Sequence, residues 1–107
     1  MEITQMLKGV LERCVLQIIA NYETYGYEIL QELKKSGFQD ITEGTIYPML
    51  LRLEKKDIIA AELRSSGIGP QRKYYRLTQT GKSYLEAFRG TWSQMKEIVD
   101  KVLEGSK

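Results

Sequence analysis

The sequence contains no histidine among its 107 residues. Histidine is the side chain that most often acts as a general base near neutral pH, and it is the commonest metal ligand. The chain also lacks a glycine-rich phosphate loop, paired metal ligands and a nucleophile elbow. We therefore expect a protein that is not an enzyme and that uses no metal and no cofactor.

Cysteine and long apolar runs are also scarce. The single Cys14 excludes an internal disulfide, and its apolar neighbours indicate a small buried hydrophobic residue. Glu2 and Glu12 interrupt the N-terminal region, whose longest apolar stretch is far too short to span a membrane. We expect no signal peptide and a cytoplasmic location. With 42% apolar and 28% charged residues, the composition is typical of one soluble globular domain.

Acidic residues are missing from one long window, between Leu63 and Lys82. This window contains five basic residues, although the formal net charge of the whole chain is only +2. A local basic strip of this kind is typical of a surface that binds an anionic partner such as DNA or RNA. Charge alone leaves open the alternative of an ordinary solvated face.

Apolar residues in the first half of the chain repeat at helical spacing. Residues 4–21 fit one helix, and its wide apolar stripe predicts packing on two sides, within its own domain and against a partner. A second helix, YGYEILQELKK, is expected to start at a Thr24 cap, to bury Tyr27 and to end at Gly37.

The third predicted helix is EGTIYPMLLRLEKK, with Thr42 as its cap. A proline inside it predicts a tight or slightly kinked first turn, because proline removes one backbone hydrogen bond. Its buried stripe is expected to be Ile46, Met49, Leu50 and Leu53. Its opposite face offers Gly44, Thr45, Tyr47, Pro48, Arg52 and Lys55.

After residue 57 the period changes from helical to alternating. The segments IIAAELR and QRKYYRLT predict two strands, and SSGIGP between them has the composition of a turn. Together they predict a β-hairpin. In its second strand, Tyr75 and Leu77 are expected to face the core, whereas Arg72 and Arg76 point away from it.

From Thr78 or Thr80 the helical period returns and runs nearly to the C-terminus. This helix has large apolar residues in a strict a/d pattern, namely Leu85, Phe88, Trp92, Met95, Val99 and Val102. The pattern covers fewer than three heptads, so the helix alone would be marginally stable in water. It therefore predicts a partner, most simply the same helix or the first helix of a second subunit.

The order of elements is three helices, a two-stranded hairpin and a long helix. It predicts a mostly α fold with a small β-hairpin: a winged helix-turn-helix (ααα-β-β) followed by a long C-terminal dimerisation helix. We expect a DNA-binding domain over residues 1–78 and the dimerisation helix over residues 79–107. In a winged helix the third helix enters the major groove and the hairpin lies along the backbone or minor groove. The basic strip would then lie beside phosphates.

Four segments of the chain together resemble the PadR family of bacterial transcriptional regulators, namely LKGVLERCVLQII, YGYEI, EGTIYPMLLRLEKKDII and RKYYRLTQTGK. The resemblance covers almost the whole chain, and the single helix after the wing is similar to the smaller PadR subgroup. It implies a homodimeric repressor that binds double-stranded DNA at an inverted repeat and is released by a small-molecule effector. Asp57 departs from the family, which usually has glycine at the end of the recognition helix. Aspartate tolerates the left-handed conformation at modest cost.

The resemblance, together with the exposed face of the third helix, assigns roles to individual residues. Those expected to contact DNA are Lys8, Thr42, Gly44, Thr45, Tyr47, Pro48, Arg52, Arg72 and Lys73. The wide apolar stripe of the first helix and the a/d pattern of the last helix predict a dimer interface that consists of Leu7, Val10, Leu11, Leu85, Phe88, Trp92, Met95, Val99 and Val102. In some members a tryptophan at the position of Trp92 lines an apolar cavity between subunits, which makes Phe88, Trp92 and Met95 candidates for binding an aromatic effector.

Several alternatives stay open at this stage. Tyr47 could pack instead of contacting DNA, Arg52 could be a plain solvated residue, and Trp92 could be interface core only. For the chain as a whole, the alternative is a winged-helix module that binds protein and not DNA. The uninterrupted basic wing favours DNA.

Overall fold

The computed structural model of the protein describes residues 8–65 and 67–105. Within these residues the chain forms four helices and two strands, in the order predicted. The helices are α1 (Lys8–Asn21), α2 (Gly26–Ser36), α3 (Glu43–Lys55) and α4 (Gln79–Leu103), and the strands are β1 (Ile59–Arg64) and β2 (Arg72–Leu77). The mostly α winged-helix fold with a long C-terminal helix is confirmed.

One hydrophobic core joins α1, α2 and α3 to the hairpin and to the start of α4. Each helix contributes side chains at three- and four-residue spacing, because such residues share one helix face. The stripe predicted for α3 is confirmed, since Ile46, Met49, Leu50 and Leu53 are all buried. The remaining apolar core consists of Leu11, Val15, Leu16, Ile19, Ile29, Leu30, Leu33, Ile41, Ile58, Ile59, Tyr75, Leu77 and Leu85.

The hairpin is antiparallel, and its pairing runs from Ile59 opposite Leu77 to Arg64 opposite Arg72. Tyr75 and Leu77 are buried while Arg72 and Arg76 are exposed, as the alternation predicted. Two glycines in the connecting loop have positive φ angles of 82° and 87°. Glycine adopts such angles without a steric penalty, so these positions shape the tip of the wing.

The ends of α2 and α3 follow the sequence signals. Gly37 ends α2 with φ of 126°, and Asp57 follows α3 in the left-handed region with φ of 60°. Thr42 is the N-cap of α3, and its carbonyl oxygen accepts the N–H groups of both Thr45 (3.0 Å) and Ile46 (3.1 Å). The double acceptance makes the first turn of α3 tight, as the sequence predicted.

The start of α2 differs from the prediction. The helix begins at Gly26 with Tyr25 as its N-cap, so the predicted Thr24 cap is wrong by one residue. Thr24 is fully buried, and its carbonyl oxygen accepts the N–H of Tyr75 at 2.7 Å. Its hydroxyl donates to the carboxylate of Glu28 at 2.7 Å. The backbone bond to β2 holds Thr24 extended, and the cap moves to the next residue.

A set of backbone contacts, here named the Thr78 junction (Asp57, Ile58, Thr78 and Gly81), joins the end of α3 to the start of α4. Thr78 is the N-cap of α4, and its hydroxyl oxygen accepts the N–H of Gly81 at 3.0 Å. The same hydroxyl donates to the carbonyl oxygen of Asp57 at 2.7 Å. Gly81 lies so close to Ile58 that a Cβ at Gly81 would overlap the Ile58 carbonyl oxygen. The junction therefore fixes where α4 starts relative to α3.

Candidate nucleic-acid interface

The outward face of α3 carries small and hydrogen-bonding groups. Every sequence-predicted residue on this face or at its cap is exposed, namely Thr42, Gly44, Thr45, Tyr47, Pro48, Arg52 and Lys55. The buried stripe on the opposite side of α3 fixes this orientation. Small polar groups let a helix come close enough to base edges to form hydrogen bonds with them.

Tyr47 combines packing with exposure. A Cβ at Gly26 would lie only 2.6 Å from Cε1 of Tyr47, so the ring rests directly on the start of α2. The residue nevertheless leaves 41% of its surface exposed. The sequence posed packing and surface contact as alternatives for Tyr47, and in the folded chain its ring has room for both.

A groove of about 410 Å³ lies between α3, the start of α2 and β2. It brings Tyr47 of α3 together with Arg72 and Lys73 of the wing. Tyr27, which the sequence predicted to be buried, also lines this groove and is 51% exposed. That prediction is wrong because Ile29 occupies the buried face of α2 instead. The full lining, here named the α3–wing groove, is Tyr25, Gly26, Tyr27, Tyr47, Leu51, Gln71, Arg72, Lys73 and Tyr75.

Cations and aromatic rings alternate along the wing. The Arg72 guanidinium carbon lies 4.5 Å from the centroid of the Tyr25 ring, which is 5.3 Å from that of Tyr74. On the far side, the Arg64 guanidinium carbon lies 4.8 Å from the Tyr74 centroid. Cation–π contacts of this kind hold a guanidinium in place without neutralising its charge. Arg72 is therefore positioned and still available to an anion.

Two of the predicted DNA contacts already have carboxylate partners. Nζ of Lys73 donates to Glu54 at 2.8 Å, and this hydrogen bond raises the pKa of Lys73. Arg52 donates to Glu12 at 2.6 Å. Both acids lie well before the basic strip in the chain, so the charge count of the strip alone does not reveal them. These two cations attract a phosphate less strongly than an unpaired side chain would.

Among the other described cations of the basic strip, one is paired with carboxylates and three are not. Arg64 pairs with both Glu23 and Glu62. Within residues 8–65 and 67–105, three cations of the strip have no ion pair within 4.0 Å, namely Arg72, Arg76 and Lys82. Of these, Arg72 is the one that lines the α3–wing groove.

The sequence and the fold are similar to those of known proteins. The sequence profile of the transcriptional regulator PadR-like family matches residues 15–87. The chain belongs to the PadR-like family of transcriptional regulators. The crystal structure of a PadR-like transcriptional regulator from Bacillus cereus superposes with a TM-score of 0.86 and 47% sequence identity. That alignment covers 95% of this chain and 99% of the Bacillus cereus chain.

Two further relatives extend the comparison of this PadR-like chain. Transcriptional regulator Rv3488 of Mycobacterium tuberculosis is 33% identical over 91 residues, which are 85% of this chain and 80% of Rv3488. Bacillus subtilis PadR, solved in complex with operator DNA, superposes with a TM-score of 0.68 and 28% identity. The match covers 74% of this chain but only 46% of the Bacillus subtilis chain.

The second predicted surface of this PadR-like regulator lies along α4. The rings of Phe88 and Trp92 stack, with centroids 6.1 Å apart and planes 19° from parallel. Further along, Met95, Val99 and Val102 are 43%, 45% and 72% exposed. These five residues are here named the α4 row. With 25 residues, α4 is about 37 Å long, so its second half presents a long exposed apolar face.

The other residues expected at a dimer interface are less accessible. Leu11 and Leu85 are only 2% and 5% exposed because they belong to the core of their own chain. Little of either is left to contact a partner. Val10 is partly buried on α1. Leu7 lies outside the described residues, and only the backbone of Lys8, the first residue of α1, is described.

Metal-binding clusters and membrane-spanning helices are absent from the described residues. Within 8–65 and 67–105, no group of three or more His, Cys, Asp or Glu side chains could hold a metal ion. In the same ranges, no helix has both the length and the apolar character needed to cross a bilayer. Cys14 is partly buried, and this burial raises the pKa of its thiol. The thiol therefore keeps its proton near neutral pH and is a weak nucleophile.

Proposed function

We propose that this PadR-like regulator is a repressor that binds an inverted-repeat operator as a homodimer and is released by a small aromatic effector. The observation that carries the proposal is the α3–wing groove, which Tyr47, Arg72 and Lys73 line together. A duplex fits such a site, because its major groove admits a helix while its phosphates attract a basic hairpin. Bacillus subtilis PadR, solved with operator DNA, supports the proposal.

The α4 row is the proposed dimer seam. In this proposal residues 79–107 form the dimerisation helix and residues 1–78 the DNA-binding domain. Pairing two α4 helices would remove the exposed surface of Met95, Val99 and Val102 from water. A two-fold axis then presents two α3 helices in opposite orientations, and an inverted repeat matches that symmetry.

The effector site in this proposal lies where Phe88, Trp92 and Met95 of the two subunits meet. The stacked rings of Phe88 and Trp92 offer a broad apolar face to a flat molecule. Met95 can adapt its shape to different ligands. Exposed Lys96 beside them favours neutral or anionic aromatics over cations. A ligand between the helices would change the angle between the two DNA-reading heads, and so the half-site spacing they fit.

The proposal assigns different roles to the wing and to α3. Arg72→Ala should weaken binding to operator and to random DNA by similar factors, and should lower the slope of log K against log salt by about 0.9. Lys73→Ala should have a smaller effect, since Lys73 already pairs with Glu54 at 2.8 Å. Thr45→Ala should instead reduce the preference for operator by roughly tenfold. Fluorescence anisotropy with labelled duplexes at several salt concentrations measures all three.

The matched control is Lys101→Ala, which removes the same charge from an exposed position on α4. It should leave the salt slope unchanged. The operator itself is obtained by footprinting the protein on its own promoter. If Arg72→Ala altered sequence preference while Thr45→Ala did not, the assigned roles of wing and helix would be reversed.

The effector can be sought through the single tryptophan of the chain, Trp92. Titration with a panel of planar phenolic compounds should give saturable quenching of its fluorescence for at least one compound. The same compound should release the protein from labelled operator. Phe88→Ala should weaken the quenching, because it removes the ring stacked on the indole. Fluorescence indifferent to every compound would leave Trp92 as a packing residue only.

A further inference from the structure

The open end of the hairpin brings two arginines opposite each other. Arg64, the last residue of β1, pairs with Arg72, the first residue of β2. Residues directly opposite in an antiparallel pair have Cβ atoms about 4.5–5.5 Å apart, and like charges at such positions repel each other. The two guanidinium groups therefore need separate surroundings at the place where the wing loop begins.

Each guanidinium group contacts a different tyrosine ring. The Arg64 guanidinium carbon lies 4.8 Å from the centroid of the Tyr74 ring, and that of Arg72 lies 4.5 Å from the centroid of Tyr25. The two rings are 5.3 Å apart, with planes 58° from parallel. The second of these contacts, here named the Tyr25–Arg72 contact, joins the N-cap of α2 to the first residue of β2.

The two arginines differ in what balances their charge. Arg64 donates to the carboxylates of both Glu23 and Glu62. Among the described residues, Arg72 has no ion pair within 4.0 Å. It is exposed and lines the α3–wing groove. Arg64 therefore anchors the hairpin, whereas the charge of Arg72 is available to an anion in the groove.

The Tyr25 ring is attached to a fixed part of the backbone. Thr24 before it is fully buried, and its carbonyl oxygen bonds to β2. Gly26 after it is the first residue of α2. An arginine side chain has several rotatable bonds, and ordering it on binding costs conformational entropy. A guanidinium that already lies on a fixed ring has less of this freedom to lose when a phosphate binds.

We propose that Tyr25 is a positioning residue, which holds the Arg72 guanidinium where a DNA phosphate binds. The inference rests on the proposed function, because DNA is the partner that Arg72 contacts in it. It adds that the affinity of the wing depends on the fixed position of Arg72 as well as on its charge. In this role Tyr25 acts through Arg72 and makes no DNA contact of its own.

The first measurement needs no DNA. NMR relaxation of the arginine Nε–Hε groups in the full chain reports how far each side chain is restricted on a fast timescale. Arg76 is the internal reference, since it is exposed on the same strand and has no ion pair or cation–π contact among the described residues. Arg72 should have the higher order parameter in the unaltered chain and in Tyr25→Phe, which keeps the ring. In Tyr25→Leu it should fall to the value of Arg76.

The second measurement is operator binding at several salt concentrations, followed by fluorescence anisotropy. Tyr25→Leu should weaken binding by about two- to tenfold, the effect expected when one more long side chain has to be ordered on binding. The slope of log K against log salt should stay unchanged, because no charge is lost. This separates positioning from charge, since Arg72→Ala should lower the slope by about 0.9. Tyr25→Phe should bind like the unaltered chain.

Two controls separate positioning from a general disturbance of α2. In the Arg72→Ala background, Tyr25→Leu should cause no further loss of affinity, because the side chain that it positions is gone. A distorted α2 would weaken binding in both backgrounds. Tyr22→Leu removes a tyrosine that is 46% exposed and does not line the α3–wing groove, and it should leave the affinity unchanged. Circular dichroism melting checks that each variant is folded.

Four results would overturn the proposal. They are equal order parameters for Arg72 and Arg76 in the unaltered chain, unchanged operator affinity in Tyr25→Leu, a further loss from Tyr25→Leu in the Arg72→Ala background, and equal losses in Tyr25→Phe and Tyr25→Leu. The last would identify the tyrosine hydroxyl as a DNA contact. A chain that bound no duplex DNA would overturn the proposed function and with it the role of Arg72 in binding. The relaxation data would still show whether Tyr25 restricts Arg72.

Discussion

A chain that carries Met95→Glu and Val99→Glu should stay folded, become monomeric and bind its operator about 100-fold more weakly or worse. Both side chains are exposed within the single chain, at 43% and 45%, so carboxylates there are solvated and leave the core intact. In a dimer paired through the α4 row, the same positions would place four carboxylates at the seam. The like charges would repel and lose their hydration, which opposes association.

The expected loss of affinity follows from the proposed binding of a dimer to two half-sites. In a dimer, the first head to bind holds the second near its half-site, which raises affinity by about 10²–10⁴ over one head. A monomer loses that factor although its α3 and wing are unchanged. Sedimentation velocity reports the mass of the variant, and gel retardation on the whole operator reports its affinity.

The matched control is Ser93→Glu/Gln94→Glu, which adds two carboxylates to exposed positions on the same turns of α4 outside the α4 row. It should remain dimeric and keep its operator affinity within a few-fold. A substitution of Leu85 would be a poor test, since Leu85 is buried in its own core and its replacement would destabilise the fold as well as any interface. A Met95→Glu/Val99→Glu chain that sedimented as an unchanged dimer would exclude the α4 row as the interface.

Much of the fold could be predicted because it depends on local periodicity. The stripe of α3, the alternation in β2 and the signals at Gly37, Thr42 and Thr78 each involve residues close in sequence. The prediction fails at the start of α2, where the hydrogen bond between Thr24 and Tyr75 spans some fifty residues. A hydrogen bond between distant segments does not change the spacing of apolar residues in either segment, so the sequence pattern does not indicate it.

For the candidate interface too, the features set by local periodicity could be predicted and those set by tertiary packing could not. The charge of the wing and the exposed face of α3 are visible in the sequence, since strand and helix periods determine which way each side chain points. The partners of the cations are not visible, because Glu12, Glu23 and Glu54 reach them only through tertiary packing. The contact between the Tyr47 ring and Gly26 also depends on tertiary packing, so the sequence does not predict it.

The contact between Gly81 and Ile58 is another tertiary feature, and it makes Gly81 a sensitive position in the described chain. A Cβ there would overlap a backbone carbonyl oxygen, which cannot rotate away as a flexible side chain can. That carbonyl already accepts the N–H of Thr78 at 3.2 Å, so moving it would disturb the Thr78 junction as well. The first turn of α4 would have to shift away from α3.

Gly81→Ala should therefore lower the free energy of unfolding by about 3 kcal/mol, the usual size of a steric conflict in a packed interior. This corresponds to a fall of roughly 15 °C in the melting temperature of a domain of this size.

The control is Gly90→Ala on the same helix, where a Cβ meets no other atom within 4 Å. Alanine is the better helix former there, so Gly90→Ala should stabilise the chain by up to about 1 kcal/mol. Thermal melts followed by circular dichroism at one protein concentration compare the two, because the midpoint of a dimer would depend on concentration. Two variants with the same melting temperature would mean that α4 can shift at the Thr78 junction without loss of stability.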